Sequence, residues 1–495
     1  MQLKELLKTI SVDRVEGSLD REVSGLVYDS RRVTPGVVFV AIPGVNVDGH
    51  DFINTAVARG AAAIICERNG FTSPRATKIK VADARVALAR AAASFYRHPS
   101  TKLQVIGVTG TNGKTTVAFM IKELLEACGI KTGLLGTVRY EIGDRVIPAT
   151  RTTPESLDVQ EMMSRMVVSG CKACVMEVSS HALEQKRVAG IEFDVAIFTN
   201  LSQDHLDFHG DMENYFLAKQ KLFTQTSSGS KRGAVVINID DASGARLARE
   251  SDVTLKLTYG IRGSASVRAT HIHLGAELST FTVEAREKTF TCKLPLIGRH
   301  NIYNALAATG AGFALDLDSK KIQAALGRMA PVPGRLEGVA CGQPFTVFVD
   351  YAHTDDALQN VLTTLREVTK GRLLLLFGCG GSRDTGKRAK MGRVAAMHAD
   401  HTVITSDNPR KEKPEAIAAQ IEEGFRSVKN TDYSVELDRA RAIAGLLSMA
   451  RAGDTVLLAG KGHETYQEFE DTVVPFDDRV HAREALENLQ RGGAW

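Results

Sequence analysis

Seven consecutive residues, Gly110-Thr111-Asn112-Gly113-Lys114-Thr115-Thr116, have the types that a phosphate-binding loop needs. Glycines let backbone N–H groups approach an anion, and a following helix N-terminus adds its dipole. Lys114 supplies a positive charge and Thr115 a hydroxyl for Mg²⁺. The segment is a variant of G-x-x-x-x-G-K-[ST], because Val108 stands where the first glycine belongs. The competing reading is a glycine-rich turn with a solvated lysine. Glu177 closes the apolar run Ala173–Val178, where a carboxylate either holds Mg²⁺ or is solvated at a strand end. The segment Asn200–Gly210 is dense in hydrogen-bonding side chains, and its His205 is either a metal ligand or a loop cap.

These groups converge only if strands and helices alternate around them. Leu103–Val108 reads as a short apolar strand before the glycine loop and Thr115–Cys128 as a helix after it. Further buried-strand runs are Ala173–Val178, Val195–Phe198 and Ala234–Ile239. Apolar strands alternating with helices predict a parallel sheet covered on both faces. Leu255–Leu296 alternates with period two and is expected to add antiparallel strands; an Ala-rich helix, Asn301–Ala314, follows. Upstream, short strand runs (Val37–Ile42, Ala62–Cys66) mix with turns up to a boundary at His98-Pro99-Ser100. Downstream of Pro331-Val332-Pro333-Gly334, the strands Thr346–Asp350, Arg372–Phe377, His401–Thr405 and Thr455–Ala459 form a smaller doubly wound unit. The expected fold class is therefore α/β in three domains, 1–97, 98–332 and 333–495: an N-terminal α/β domain, a central P-loop-type domain with a mostly parallel sheet, and a C-terminal Rossmann-like domain.

Composition agrees. A chain of 495 residues implies about three domains. Hydrophobic residues at 43% and charged residues at 24% exclude disorder as the main state. A net charge of +4 over this length implies neither a nucleic-acid footprint nor a membrane patch. No apolar run approaches the ~18 residues of a membrane span. Met1–Ile10 has no signal-peptide pattern, and seven scattered cysteines suit reduced thiols, so a cytoplasmic protein is expected. Cys171 and Cys174 read as core thiols, Gly378–Gly381 as an incomplete dinucleotide loop, and Arg383–Arg393 as a substrate-facing loop plus a solvated helix.

Taken together, the motifs resemble the Mur ligases, the ATP-dependent amide-forming enzymes of peptidoglycan precursor synthesis. The resemblance spans nearly the whole chain and runs through Gly110–Thr116, Met176–His181, Asn200–Gly210, Gly298–Asn304, Pro333–Glu337, Asp350–Thr354 and Gly460–Glu464. It is nearest to the members that add the third peptide residue. It implies ATP-dependent addition of meso-2,6-diaminopimelate to UDP-N-acetylmuramoyl-L-alanyl-D-glutamate through an acyl phosphate. ATP, the UDP-linked dipeptide and diaminopimelate would be the partners, on a protein expected to be monomeric and to close its domains during the cycle.

The resemblance also implies roles. Lys114 and the loop hold the phosphates, and Thr115 with Glu177 holds one Mg²⁺. A second Mg²⁺ lies near Glu177, His205 and Lys219, with Lys219 carbamylated, since an ammonium has no lone pair to offer a metal. His300, Asn301, Arg335 and Asp350 face the nucleotide, and His353 shapes the same site. Tyr28, Ser30, Val45, Asn46 and Val47 hold the uridine nucleotide. Arg151, Thr152, Thr153, Ser179, Gln185 and Arg187 hold the sugar-dipeptide. Asp407-Asn408-Pro409-Arg410 marks diaminopimelate specificity, with Arg410 expected to stay buried and unpaired against lysine; Arg383, Gly460 and Glu464 complete that pocket. Two positions depart from the family pattern: Arg151 replaces the usual Asn, and Asp355 replaces the usual Pro, which is expected to loosen that turn. Competing readings are the L-lysine-adding ligase, folylpolyglutamate synthase and a non-catalytic nucleotide-binding switch.

Overall fold

The computed structural model describes residues 1–44, 47–68, 73–275, 278–285, 288–428 and 432–493. Three main sheets follow one another along the chain. The first runs in the order Arg14–Glu16, Thr77–Lys80, Ala63–Cys66, Val37–Val40, Gly25–Val27 and is parallel except for Arg14–Glu16. Ala63–Cys66 and Val37–Val40 are buried at every position, as continuous apolar runs in the middle of a parallel sheet should be.

The second sheet has eleven strands. At its centre Gln104–Thr109 lies between Val195–Phe198 and Ala173–Glu177, parallel to both. The chain leaves this strand and returns on either side of it, so a crevice opens at the carboxyl ends of the three strands. Gly110, Glu177 and Thr199 all stand at that edge. Alternate residues of the central strand serve opposite cores: Ile106 and Val108 on one face, Val105 on the other.

The expectation of antiparallel strands from Leu255 onward needs one correction. Leu255–Gly260 pairs parallel with Ala234–Asn238. The helix Ala242–Glu250 between them supplies the crossover that a parallel pair requires. Leu255–Gly260 also pairs parallel with Val267–Leu274, and in this segment only Val267–Leu274, Ser279–Ala285 and Lys288–Leu294 pair antiparallel with one another.

The third sheet orders Glu337–Gly338, Thr346–Asp350, Thr455–Ala459, Leu373–Phe377, His401–Ile404 and Tyr433–Val435, parallel after the first pair. Asp350, Gly378, Asp407 and Gly460 stand at or just beyond its carboxyl edge. A separate hairpin, Tyr466–Phe469 with Thr472–Pro475, packs beyond it and was not expected from the sequence.

Candidate active site

The glycine loop joins Gln104–Thr109 to the helix Lys114–Ala127. Its glycines are required by contact and by angle. A Cβ on Gly110 would lie 1.8 Å from Thr199 Oγ1, and Gly113 holds φ +85° beside Asn304. The next strand's exit brackets the loop: Thr111 N–H donates to Asn200 O at 2.9 Å and Asn112 N–H to Asn200 Oδ1 at 2.9 Å. Those two donors are therefore used. The N–H groups of the first helical turn have no intrahelical partner and can take an anion. Thr116 lies in that turn, buried. Lys114 folds back on the loop, Nζ donating to Gly110 O at 2.9 Å and Thr111 O at 2.8 Å.

Glu177 is fully buried, and its carboxylate accepts from Thr115 Oγ1 at 3.0 Å, Thr137 N at 2.7 Å and Thr137 Oγ1 at 3.0 Å. Lys219 comes from the helix Met212–Ser228 and is 1% exposed. Its Nζ donates to Gly110 O at 2.9 Å and sits 4.4 Å over the Tyr215 ring. Burial first, then the Lys114 charge, push this amine well below the ordinary lysine range. His205 stands in the left-handed region at φ 55°, 3.3 Å from Asp204 Oδ2, with its ring 4.7 Å from that of His181. Partial burial, with His181, Lys114 and Lys219 adding to it, pushes its imidazole down against the pull of Asp204.

The third sheet reaches over this edge. Arg335 Nη2 lies 3.3 Å from Thr115 Oγ1, its guanidinium 4.6 Å above the Tyr351 ring. Asp350 accepts from Leu336 N at 2.7 Å and Ala352 N at 2.8 Å, so it braces the chain entering the sheet. His353 Nδ1 contacts Tyr351 O at 2.8 Å, and burial pushes its ring down to about 4. On the opposite wall, His300 Nδ1 lies 3.4 Å from Thr364 Oγ1, and Asn301 Nδ2 donates to Ile297 O at 2.9 Å. The turn at Asp355, where the usual Pro is replaced, leads into a capped helix. Thr354 accepts from Ala357 N, and Asp355 and Asp356 place negative charge at the helix N-terminus.

On the first-domain side, Tyr28 OH donates to Asp158 Oδ2 at 2.8 Å, tying the first sheet to the helix Ser156–Val168. Ser30 opens a short turn capped by Asp29. Val47 is exposed, while Val45 and Asn46 lie outside the described residues. Thr152 Oγ1 is 3.0 Å from Thr137 Oγ1; Thr153 Oγ1 donates to Glu177 O at 2.8 Å and lies 3.4 Å from Ser179 Oγ. Arg187 donates to Thr153 O at 2.9 Å and to Gln185 Oε1, and its Nε lies 3.0 Å from Glu155. Arg151 reaches the same Glu155 oxygen at 3.0 Å.

Asp407, Asn408 and Glu464 surround a fully buried Lys461, whose Nζ lies 3.4, 3.1 and 3.2 Å from them. Asn408 Nδ2 donates to Glu464 Oε2 at 2.9 Å. Pro409 and Gly460 continue the two loops, and Arg383 is exposed on a third. Arg410 departs from expectation. Its Nε donates to Glu468 Oε2 at 2.8 Å and its Nη1 to Gly381 O at 3.0 Å, so it is paired without any substrate.

Three family models match in order: the Mur ligase family catalytic domain over residues 22–96, the Mur ligase middle domain over 108–312, and the Mur ligase glutamate ligase domain over 334–462. The chain is 45% identical over 486 residues to the UDP-N-acetylmuramoyl-L-alanyl-D-glutamate–2,6-diaminopimelate ligase of Syntrophomonas wolfei, covering 98% of this chain and 99% of the relative. The chain belongs to the Mur ligase family. A ligase of the same name from Solibacter usitatus is 46% identical, with 98% of each chain covered. A solved structure of a ligase with that name superposes with TM-score 0.70 at 32% identity over 99% of both chains.

Several groups in this Mur ligase escaped sequence reasoning. Asp356 accepts from Asn112 Nδ2 at 2.7 Å and Ser202 Oγ at 2.9 Å, joining the third domain to the phosphate loop. Arg388, expected on a solvated helix, is fully buried and forks onto Glu412 at 2.8 and 3.0 Å. Arg439 and Asp478 form a fully buried pair. Lys461 had a legible signal in the run Gly460–Glu464 and Asp356 one in the run His353-Thr354-Asp355-Asp356; Asp478 had none. Among the described residues no helix is long and apolar enough to cross a membrane, and no group of three or more His, Cys, Asp or Glu is poised to hold a metal. All seven cysteines are free, Cys171 and Cys174 buried among them.

Proposed function

We propose that the chain is the ATP-dependent ligase that joins meso-2,6-diaminopimelate to UDP-N-acetylmuramoyl-L-alanyl-D-glutamate, working as a cytoplasmic monomer with domains divided at residues 97/98 and 332/333. What carries this reading is full-length likeness: relatives named for that reaction align with 98% of the chain at 45% identity. The closure of each main sheet within one of the three segments supports the divisions.

A carboxylate does not condense with an amine unaided in water, so ATP first converts it to an acyl phosphate. The chain's contribution is placement and charge. Lys114 exchanges its bonds to the Gly110 and Thr111 carbonyls for the β- and γ-phosphates, which settle on the first helical turn. Arg335 adds a second positive charge beside Thr115. Thr115 and Glu177 offer a hydroxyl and a buried carboxylate, oxygen donors that fit a hard cation. Mg²⁺ held there, and a second one near Glu177, His205 and carbamylated Lys219, would neutralise charge on the transferred phosphoryl group. A neutral amine is the form that takes up CO₂, and the depressed Lys219 favours it. Arg187 and the Thr152–Thr153 pair hold the dipeptide, so that its carboxylate faces the phosphates. Asp407 and Glu464 carry two negative charges against the single Lys461, which leaves an excess suited to the amino acid's ammonium. Attack by the amine on the acyl carbon then expels phosphate.

A second reading, with L-lysine as the amino acid, rests on one observation. Arg410 is already paired with Glu468, so lysine would not strand a buried guanidinium. The test is phosphate release from ATP with Mg²⁺, bicarbonate and the UDP-dipeptide, comparing the two amino acids. Much faster release with diaminopimelate than with lysine is expected. Preference for lysine would overturn the substrate assignment, and silence with both would overturn the ligase reading.

A further inference from the structure

Arg410 and Glu468 are 58 residues apart in sequence and bonded through side chain and backbone alike. Beside the 2.8 Å bond from Arg410 Nε, Arg410 N–H donates to Glu468 O at 2.9 Å, and Glu470 N–H donates to Arg410 O at 2.7 Å. Arg410 itself holds φ 52°, and it bridges Phe469 as an extra strand residue. Glu468 N–H also donates to Asn408 Oδ1 at 3.1 Å. The hairpin Tyr466–Phe469/Thr472–Pro475 thus clamps the Asp407–Arg410 loop and presents a carboxylate to its arginine. With Nε on Glu468 and Nη1 on Gly381, Nη2 has no hydrogen-bond partner among the described residues and can take a ligand.

We propose that Glu468 is a specificity-determining residue: an internal carboxylate that occupies Arg410 in place of the substrate's far carboxylate and thereby moderates discrimination between diaminopimelate and amino acids that lack it. The proposal rests on the diaminopimelate reading above. An amino acid bearing a second carboxylate must share Arg410 with Glu468 or displace it. One without that carboxylate leaves the pair intact and strands no charge. Arg410 is 19% and Glu468 32% exposed at the side chain, so the pair is partly screened and its effect modest. Removing the Glu468 charge therefore strengthens capture of a carboxylate and weakens tolerance of lysine.

Steady-state kinetics on the full chain test this, with ATP, Mg²⁺, the UDP-dipeptide and either amino acid. The proteins are the parent, Glu468→Gln, Arg410→Ala and the double variant. Glu468→Gln is expected to lower the KM for diaminopimelate about three- to fivefold and to widen its kcat/KM preference over lysine by a similar factor. In the Arg410→Ala background the same substitution should change neither quantity, because its effect passes through Arg410. An unchanged KM overturns the proposal. So does a raised one, which would make Glu468 a direct ligand of the far ammonium. If Glu468→Gln fails to fold, Glu468→Asp, one methylene short of Arg410, should move KM in the same direction. Failure of the parent with diaminopimelate, read before any substitution, would instead sink the functional reading itself.

Discussion

Lys114 and Lys219 donate to one oxygen, the carbonyl of Gly110, each at 2.9 Å. Two ammonium groups on a single buried carbonyl repel, and burial penalises both. Lys219, the deeper of the two, is pushed well below its ordinary 10.5. Between that lowered value and 10.5 the folded chain binds fewer protons at this site than the unfolded chain does. Its contribution to stability therefore rises with pH across the window.

Lys219→Met should remove that cost while filling the same space. We expect unfolding free energy at neutral pH to increase by about 1–2 kcal/mol, measured by denaturant titration, and ligase activity to fall by about 100-fold or more. Retained activity would show that the amine is dispensable.

Glu464 behaves in the opposite sense. Burial, then the neighbouring Asp407 charge, raise its carboxyl above 4.5, with Lys461 opposing. A raised carboxyl is a small cost at neutral pH that is relieved on acidification. Its capacity to hold an ammonium is lost on acidification from above the usual carboxylate range. The KM for the amino acid should rise on mild acidification more steeply than the KM for ATP, and Glu464→Gln should flatten that dependence.

Asp356 is the acceptor that holds the third domain against Asn112 and Ser202. Asp356→Ala removes both bonds at once. Small-angle scattering of the ligand-free variant should give a larger radius of gyration than the parent, with the difference narrowing when nucleotide and UDP-dipeptide are added. Identical ligand-free profiles would show that this contact does not hold the domains.

Arg439 forks onto Asp478 with two bonds of 2.7 Å and also donates to Ser406 O and Ala459 O, the carbonyls just before Asp407 and Gly460. Arg439→Met alone strands a buried carboxylate and should cost about 3–5 kcal/mol. Arg439→Met with Asp478→Leu should recover most of that stability. The KM for the amino acid should remain raised in the double variant, because the two loop carbonyls lose their shared donor.

Much of the site was legible because its signals are local. The glycine loop requires its strand before and its helix behind, Glu177 ends an apolar run, and Asp407 follows another; periodicity and turn chemistry act over a few residues. Alternating strands and helices likewise determined the α/β class and the order of the three domains. The antiparallel reading of Leu255–Gly260 erred because period two reports which face is buried and not which neighbour pairs. Tertiary structure alone decided the partners of the long charged side chains. Arg410 finds Glu468 58 residues away, and Asn112 finds Asp356 at a separation of 244. Such pairs leave no periodic trace. Their partners are chosen by where sheet edges meet, and by the cost of leaving a buried charge without one.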